Sequence, residues 1–297
     1  MKLCLSIEIQ EGLSYERTLG LARAAEDAGF DAALLAEHYT SSSGEDDRAA
    51  SDAWMYLAPL ARETERIRLG TLVSPVAFRH PAVLAKMAAT LDHLSAGRAE
   101  LGLGAGWLEA EHVAYGFPFP AAARRVDLLE EQLQVIKGLW TQNPFDHAGA
   151  AYRLTGCRFT PRPVQQPHPP LIVGGRPSST RVLELAARYA DEYVISLPSV
   201  EECMVVRARL AGRCALSAFT YACVGPTTAA VERRLARLTE RLRPAMQDTP
   251  RWILGTPAQA GGRLRRLRDA GVARLFVAAW DEDHADLPEL LQAGSAD

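Results

Sequence analysis

One histidine closes an apolar run that reads as a strand: "DAALLAEHYT" sets Glu37, His38 and Tyr39 at its end. An imidazole titrates near neutral pH, so a histidine at such a place can move protons, and the neighbouring carboxylate of Glu37 can orient it. A second stretch, "IVGGRPSSTRVLELAARY", ends a strand in Gly174 and Gly175 and starts a helix about three residues later. Arg176 and Arg181, the hydroxyls of Ser178, Ser179 and Thr180, and the free N–H groups of a helix start make an anion site there, suited to a ligand phosphate, with an ordinary Gly-Pro turn as the alternative. A third, "LGLGAGW" at 101–107, carries Gly104, Ala105, Gly106 and Trp107. A dinucleotide fingerprint needs its glycines at the first strand-to-helix turn and an acid about 20 residues on. Here they fall partly inside the fourth strand and the next helix starts only near Ala123. Glycine within a strand marks close approach by ligand or backbone. A flat wall against which a planar molecule lies is therefore expected, with tight barrel packing as the alternative. Glu109 and His112 are spaced for a metal on a helix, but no third ligand is assignable and no metal is expected.

These residues need elements to position them. Apolar, β-branched runs at 2–9, 31–36, 66–73, 99–104, 170–174, 191–196, 215–223 and 272–279 alternate with segments of helical period at 14–28, 51–64, 80–94, 123–140, 178–190, 199–211, 227–243 and 257–270. Ser14 is a cap, Gly29 a helix stop, and Pro81 and the pair Thr256-Pro257 mark helix starts. Eight strands apolar enough to be covered on both faces predict an α/β fold, a (β/α)₈ TIM barrel, over an open doubly wound sheet. One domain is expected over residues 1–297. Barrel chemistry sits at the C-terminal strand ends, which adds Glu8 and Gln10, Leu72, Val73 and Ser74, and Ser196 and Trp280 to the residues above. Tyr39, Trp107, Ser196 and Trp280 are the expected substrate pocket, fit for a planar or apolar molecule. The connection 38–50 follows a strand and is the better lid candidate; 141–169 follows a helix, starts at the opposite face and holds a hairpin in "FDHAGAAYRLTGCRFT".

The net charge is −3, with basic residues scattered, so neither nucleic acid nor a membrane surface is expected as a partner. The run after Met1 lacks the sections of a signal peptide, no apolar segment nears the roughly 20 residues of a bilayer span, and a cytoplasmic location is expected. Five cysteines without a CxxC pair predict reduced thiols.

The stretch "IRLGTLVSPVAFRHPAVLAKMAATLDHLSAGRAELGLGAGWLEAEHVAYGFPFP", with "SIEIQEGLSYERTLGLARAAEDAGFDAALLAEHY" before it and "FTPRPVQQPHPPLIVGG" after it, resembles the bacterial luciferase-like monooxygenase superfamily. Within it, the chain looks most like actinobacterial oxidoreductases dependent on coenzyme F420. The resemblance runs to about residue 196 and returns at "LGTPAQAGGRLRRLRDAGVARLFV". It implies a flavin- or deazaflavin-dependent oxidoreductase, with F420-dependent hydride transfer to or from a small organic substrate as the leading activity and an FMN-dependent monooxygenase as the alternative. A cofactor-free lyase or isomerase on a degenerate barrel stands as a further alternative. By the same resemblance His38 lies at the reactive edge of the ring. A non-prolyl cis peptide at Leu72-Val73, with Ser74, abuts the ring; Gly104, Ala105 and Gly106 border it; and Gly174, Gly175, Arg176 and the residues to Thr180 hold its phosphate. A homodimer is a further option the resemblance raises. Three departures bear on cofactor and substrate. Ala36-Glu37-His38 stands where relatives commonly have Ser-Asp-His, Pro177 removes a donor from the phosphate loop, and Trp107 stands where sugar-phosphate dehydrogenases carry an acid, so sugar-phosphate oxidation is not expected.

Overall fold

The computed structural model describes residues 1–44, 47–242, 247–280 and 287–295. In chain order the first half runs β1 (Lys2–Ile7), α1 (Tyr15–Ala28), β2 (Ala32–Leu35), α2 (Ala53–Glu63), β3 (Arg68–Pro75), α3 (Pro81–Leu94), β4 (Ala99–Gly104), α4 (Glu109–Tyr115) and α5 (Ala122–Thr141). A hairpin of β5 (Phe145–Ala148) and β6 (Arg153–Cys157) precedes β7 (Leu171–Gly175), α6 (Thr180–Tyr189), β8 (Glu192–Ser196), α7 (Val200–Leu210) and β9 (Ala215–Thr220). The chain then continues through β10 (Ala222–Val224), α8 (Thr228–Arg241), β11 (Ile253–Gly255), α9 (Pro257–Asp269), β12 (Arg274–Ala279) and α10 (Leu287–Ser295).

Eight parallel strands close in the order β1-β12-β9-β8-β7-β4-β3-β2. All eight expected strands are in the barrel, so their C-terminal ends share one mouth. The local signals act as the sequence indicates. Ser14 accepts from the Arg17 N–H, Gly29 closes α1 at φ 90°, Pro81 opens α3, and Thr256 with Gln259 forms a capping box at α9. Two details differ. The expected seventh strand breaks at Tyr221: β9 stays in the barrel, while β10 leaves it to pair in parallel with β11 in a separate two-stranded sheet. Helix α8 belongs to that excursion, and the helix that follows the last barrel strand is α10, which had no assignment from sequence.

The barrel interior is layered. At the floor, Arg274 donates to Glu100 at 2.8 and 3.0 Å, to Asp31 at 3.3 Å and to Glu192, while Arg68 also pairs with Glu100. Burial lowers the basicity of Arg274, but Glu100 and Glu192 outweigh it and keep the guanidinium charged. Above the ions lie Cys4, Ala32, Leu34, Ile172, Val194 and Phe276, all buried. The hairpin rests on α5, where Glu131 accepts from the Ala151 and Tyr152 N–H groups; the loop beyond it reaches the floor, where Gln165 bonds Arg68 and Asp92. All five cysteines are free. Among the described residues no helix is long and apolar enough to cross a membrane.

Candidate active site

Three carboxylates converge on the end of β2, each held differently. Glu37 is buried; it accepts from the Trp54 indole at 3.2 Å and from Ser74 and Arg79, and Arg79 in turn donates to Asp52 at 2.9 Å and to the Tyr39 hydroxyl at 3.0 Å. Burial pushes its carboxyl up, and Arg79 and Ser74 pull it back. Glu8, just past β1, is also buried, yet it is held by neutral donors, Ser6 and Gln10, each at 2.8 Å. Burial raises its pKa. Glu111 reaches over from α4 to put its carboxylate 3.2 Å from His38 Nδ1 and 2.5 Å from the Tyr39 N–H. Burial alone would lower the pKa of the His38 imidazole, but Glu111, with Glu8 and Glu37 beyond it, outweighs burial and holds it above its ordinary value. The Trp107 and His38 rings stand edge to face, with centroids 5.8 Å apart.

On the neighbouring arc, the Leu72-Val73 peptide is cis, as the resemblance implies, and the β3–β4 register shifts between Thr71 and Ser74. Val73 fills the space that the strand glycines leave. A Cβ on Gly104 would stand 2.6 Å from Val73 Cγ2, and one on Gly174 would stand 3.0 Å from Val73 Cγ1. The bare wall expected from the β4 glycines is thus a seat for Val73, and close approach of protein to protein accounts for them. Gly175 faces Tyr193, whose hydroxyl donates to the Arg176 carbonyl at 3.0 Å. Past it, Arg176 and Ser178 are exposed and Ser179 precedes α6 with its side chain unengaged in capping. Two N–H groups of this helix start are already engaged, Ser179 with the Arg176 carbonyl at 3.0 Å and Thr180 with the Ser178 carbonyl at 2.9 Å, and Arg181 pairs with Asp127 at 2.6 Å, so what the turn offers an anion is the exposed Arg176 and Ser178 side chains.

A profile of the luciferase-like monooxygenase family matches residues 3–286. The chain belongs to that family. It is 33% identical over 189 residues to an FMNH2-dependent dimethylsulfone monooxygenase of Pseudomonas putida, a match spanning 64% of this chain and 50% of that protein's length. It is 28% identical to an F420-dependent glucose-6-phosphate dehydrogenase of Kineococcus radiotolerans over 88% of this chain and 86% of that one. Among solved structures, an F420-dependent secondary alcohol dehydrogenase superposes with a TM-score of 0.83 at 18% identity, covering 99% of both chains. The fold is the luciferase-like barrel, and the chain is an oxidoreductase of that family.

In this luciferase-like barrel, the residues expected to form the site from sequence do not all face open space. Trp107 is 47% exposed and Ser196 is exposed at the end of β8. Tyr39 instead packs against Phe78, Tyr115 and Phe117, with ring centroids 4.9 to 5.7 Å apart, and burial raises its pKa to about 12. Trp280 is buried against Tyr221 and Trp252 beneath the β10–β11 excursion. The lid candidate is anchored: Glu11 accepts from Ser41, from the N–H and hydroxyl groups of both Ser42 and Ser43, and from Arg48 at 2.6 Å. Burial raises the Glu11 carboxyl, but the serines and Arg48 hold it below the ordinary range. The Glu109–His112 metal pair does not form, since Glu109 is exposed while buried His112 turns Nδ1 to the Leu108 carbonyl at 2.9 Å. Among the described residues no group of three or more His, Cys, Asp or Glu side chains could hold a metal. Glu37, expected to orient His38, is taken up by Trp54, Ser74 and Arg79, and Glu111 stands against the ring in its place; sequence reasoning missed Glu111, Arg79 and Glu11.

Proposed function

We propose that this luciferase-like protein binds coenzyme F420 and transfers hydride to or from a small organic substrate held at the barrel mouth. The observation that carries the reading is His38 at the end of β2, raised in pKa by its carboxylates, sharing one mouth with the exposed Arg176 and Ser178 ahead of α6. A proton-handling group and an anion site on strands of one barrel fit a phosphorylated ring cofactor. Arg176, Ser178, Ser179 and Thr180 would bind its phosphate, with Gly174 and Gly175 at the strand end beside them. Leu72, Val73, Ser74, Gly104, Ala105 and Gly106 would border its ring. When bound, a deazaflavin supplies two-electron hydride chemistry, and the barrel supplies orientation and electrostatics.

The protein's own residues then handle the proton. His38 in its protonated form donates to the oxygen of a carbonyl being reduced, and in its neutral form accepts from an alcohol being oxidised. Trp107, next to His38, gives the substrate an apolar edge. F420 is favoured by the near full-length match to the Kineococcus enzyme, whereas the Pseudomonas match, higher in identity, spans half of its protein. That second match supports an FMN-dependent monooxygenase as the other reading. Purified protein titrated with F420 and with FMN, oxidised and reduced, separates them: tighter binding of F420 by tenfold or more is expected. Preference for reduced FMN replaces the reading with the monooxygenase, and failure of both cofactors to bind overturns it in favour of cofactor-free chemistry.

A further inference from the structure

We propose that Glu111 is the positioning residue of His38, fixing the imidazole with its proton on Nδ1 so that protons enter and leave the site through Nε2. The inference rests on the reading of His38 as the proton-handling group. It starts from hydrogen-bond arithmetic. The Glu111 side chain is 1% exposed, and His38 is 14% exposed. Among the described residues no lysine or arginine pairs with Glu111; its carboxylate is met by His38 Nδ1, at 3.2 and 3.3 Å, and by the Tyr39 N–H at 2.5 Å. An ionised carboxylate can only accept, so the ring nitrogen that faces it must be the donor. That assigns the neutral tautomer as Nδ1–H. Nε2 has no hydrogen-bond partner among the described residues.

The same carboxylate grips the backbone. By taking the Tyr39 N–H as well, Glu111 fixes the turn that carries the ring, so rotation of the imidazole and movement of the strand end are restrained from one point. Helix α4 is held in place for this: the Tyr115 hydroxyl donates to the Tyr39 carbonyl at 3.1 Å, and Tyr115 and Phe117 stack on Tyr39. Three elements therefore meet around His38. Glu111 comes from α4, Glu8 from the end of β1, and Glu37 from the same strand end. Glu37 is neutralised by Arg79 and Glu8 accepts from neutral groups, which leaves Glu111 as the charge in direct contact with the ring.

The test needs neither cofactor nor substrate. Long-range proton–nitrogen NMR on the purified protein, with the His38 signals assigned by loss in His38→Gln, reads tautomer and titration midpoint directly. The native protein is expected to show the Nδ1–H form when neutral and a midpoint above about 6.5. Glu111→Gln keeps an acceptor but removes the charge, and is expected to lower the midpoint by at least about one unit, the size of shift an adjacent opposite charge produces. Glu111→Asp, one methylene shorter, should restore part of the shift. A Glu111→Gln protein that melts like the native one but titrates at the native midpoint overturns the proposal, as does an Nε2–H tautomer in the native protein. Should Glu111→Gln misfold, the native tautomer alone still decides. If the NMR result holds and no cofactor binds, the positioning role stands and the redox reading falls.

Discussion

Gly104 is bare to make room for Val73, and that claim can be tested by moving the conflict between the two residues. An added Cβ at Gly104 would meet Val73 Cγ2 at 2.6 Å, with the next atoms, Val73 Cβ and the Gly174 carbonyl oxygen, at 3.8 and 4.0 Å. One methyl group is the whole obstacle. In Gly104→Ala, Val73 must leave its place, at a cost of about 1–3 kcal/mol for overpacking. With an unfolding entropy of about 2.1 cal/mol/K per residue, 297 residues give about 0.6 kcal/mol/K, so the melting temperature should fall by about 2–5 °C. In a Val73→Ala background the clashing methyls are gone, and the same Gly104→Ala change should be neutral or stabilising by up to about 1 kcal/mol through the unfolded chain. Gly102 is the control: its added Cβ would strike the Thr71 carbonyl oxygen at 2.2 Å, a backbone atom, so Val73→Ala cannot rescue Gly102→Ala. Calorimetry or denaturant titration of the double-mutant cycle measures the coupling. Equal costs for Gly104→Ala in the two backgrounds would refute the seat for Val73 and return Gly104 to a purely ligand-facing role.

Arg274→Met removes the cation that serves Glu192 and half of what serves Glu100, and should cost about 3–5 kcal/mol. Adding Glu192→Gln should recover part of that loss in urea unfolding, and no recovery would mean the ions are not the cause. For the anchored loop, Glu11→Ala should speed amide exchange of Ser42 and Ser43 by tenfold or more, because both N–H groups donate to that carboxylate. The Glu11 pKa lies below its unfolded value, so the stability it adds is present at neutral pH and is lost as pH falls through the folded pKa. In the native protein, protection at Ser42 and Ser43 should therefore decline only on the acid side of about pH 4.3. His38→Gln should keep cofactor affinity within about threefold while turnover falls by about 10²–10⁴. Since the His38 pKa is raised, carbonyl reduction should decline with pH only above about 6.5 and alcohol oxidation should rise over the same range. A flat profile in both directions would remove His38 from the proton path.

The barrel was legible because its signals are local and repeated. Each strand carries its own apolar run, and Ser14, Gly29, Pro81 and Thr256 mark helix ends within a few residues of where they act. What escaped needed partners distant in sequence. The break at Tyr221 depends on β11, about thirty residues away, and "ALSAFTYAC" reads as one strand until that partner is known. The glycines of 101–107 show in sequence only what they lack, while the atom that fills the space at Gly104 belongs to Val73 on another strand. Trp280 ends a barrel strand as expected, yet the excursion that covers it hides the ring. His38 could be picked out because a strand end is a local feature, while Glu11, Arg79 and Glu111 are ordinary surface-type residues in sequence and acquire their roles only by reaching other elements.

The carboxylates at the mouth show why those long reaches matter. Four lie near the ends of β1 and β2: Glu11 is paired with Arg48, and Glu37 with Arg79. Glu8 and Glu111 have no arginine or lysine among the described residues, so the positive charge available to them is the one His38 acquires when it takes a proton. Burial of an unpaired carboxylate is costly, and protonating His38 offsets that cost, which is the physical origin of its raised pKa. The imidazole is thus the counter-ion of its own surroundings. Loss of its proton removes the positive charge that Glu111 and Glu8 face, and this attraction shifts the imidazole toward its protonated form.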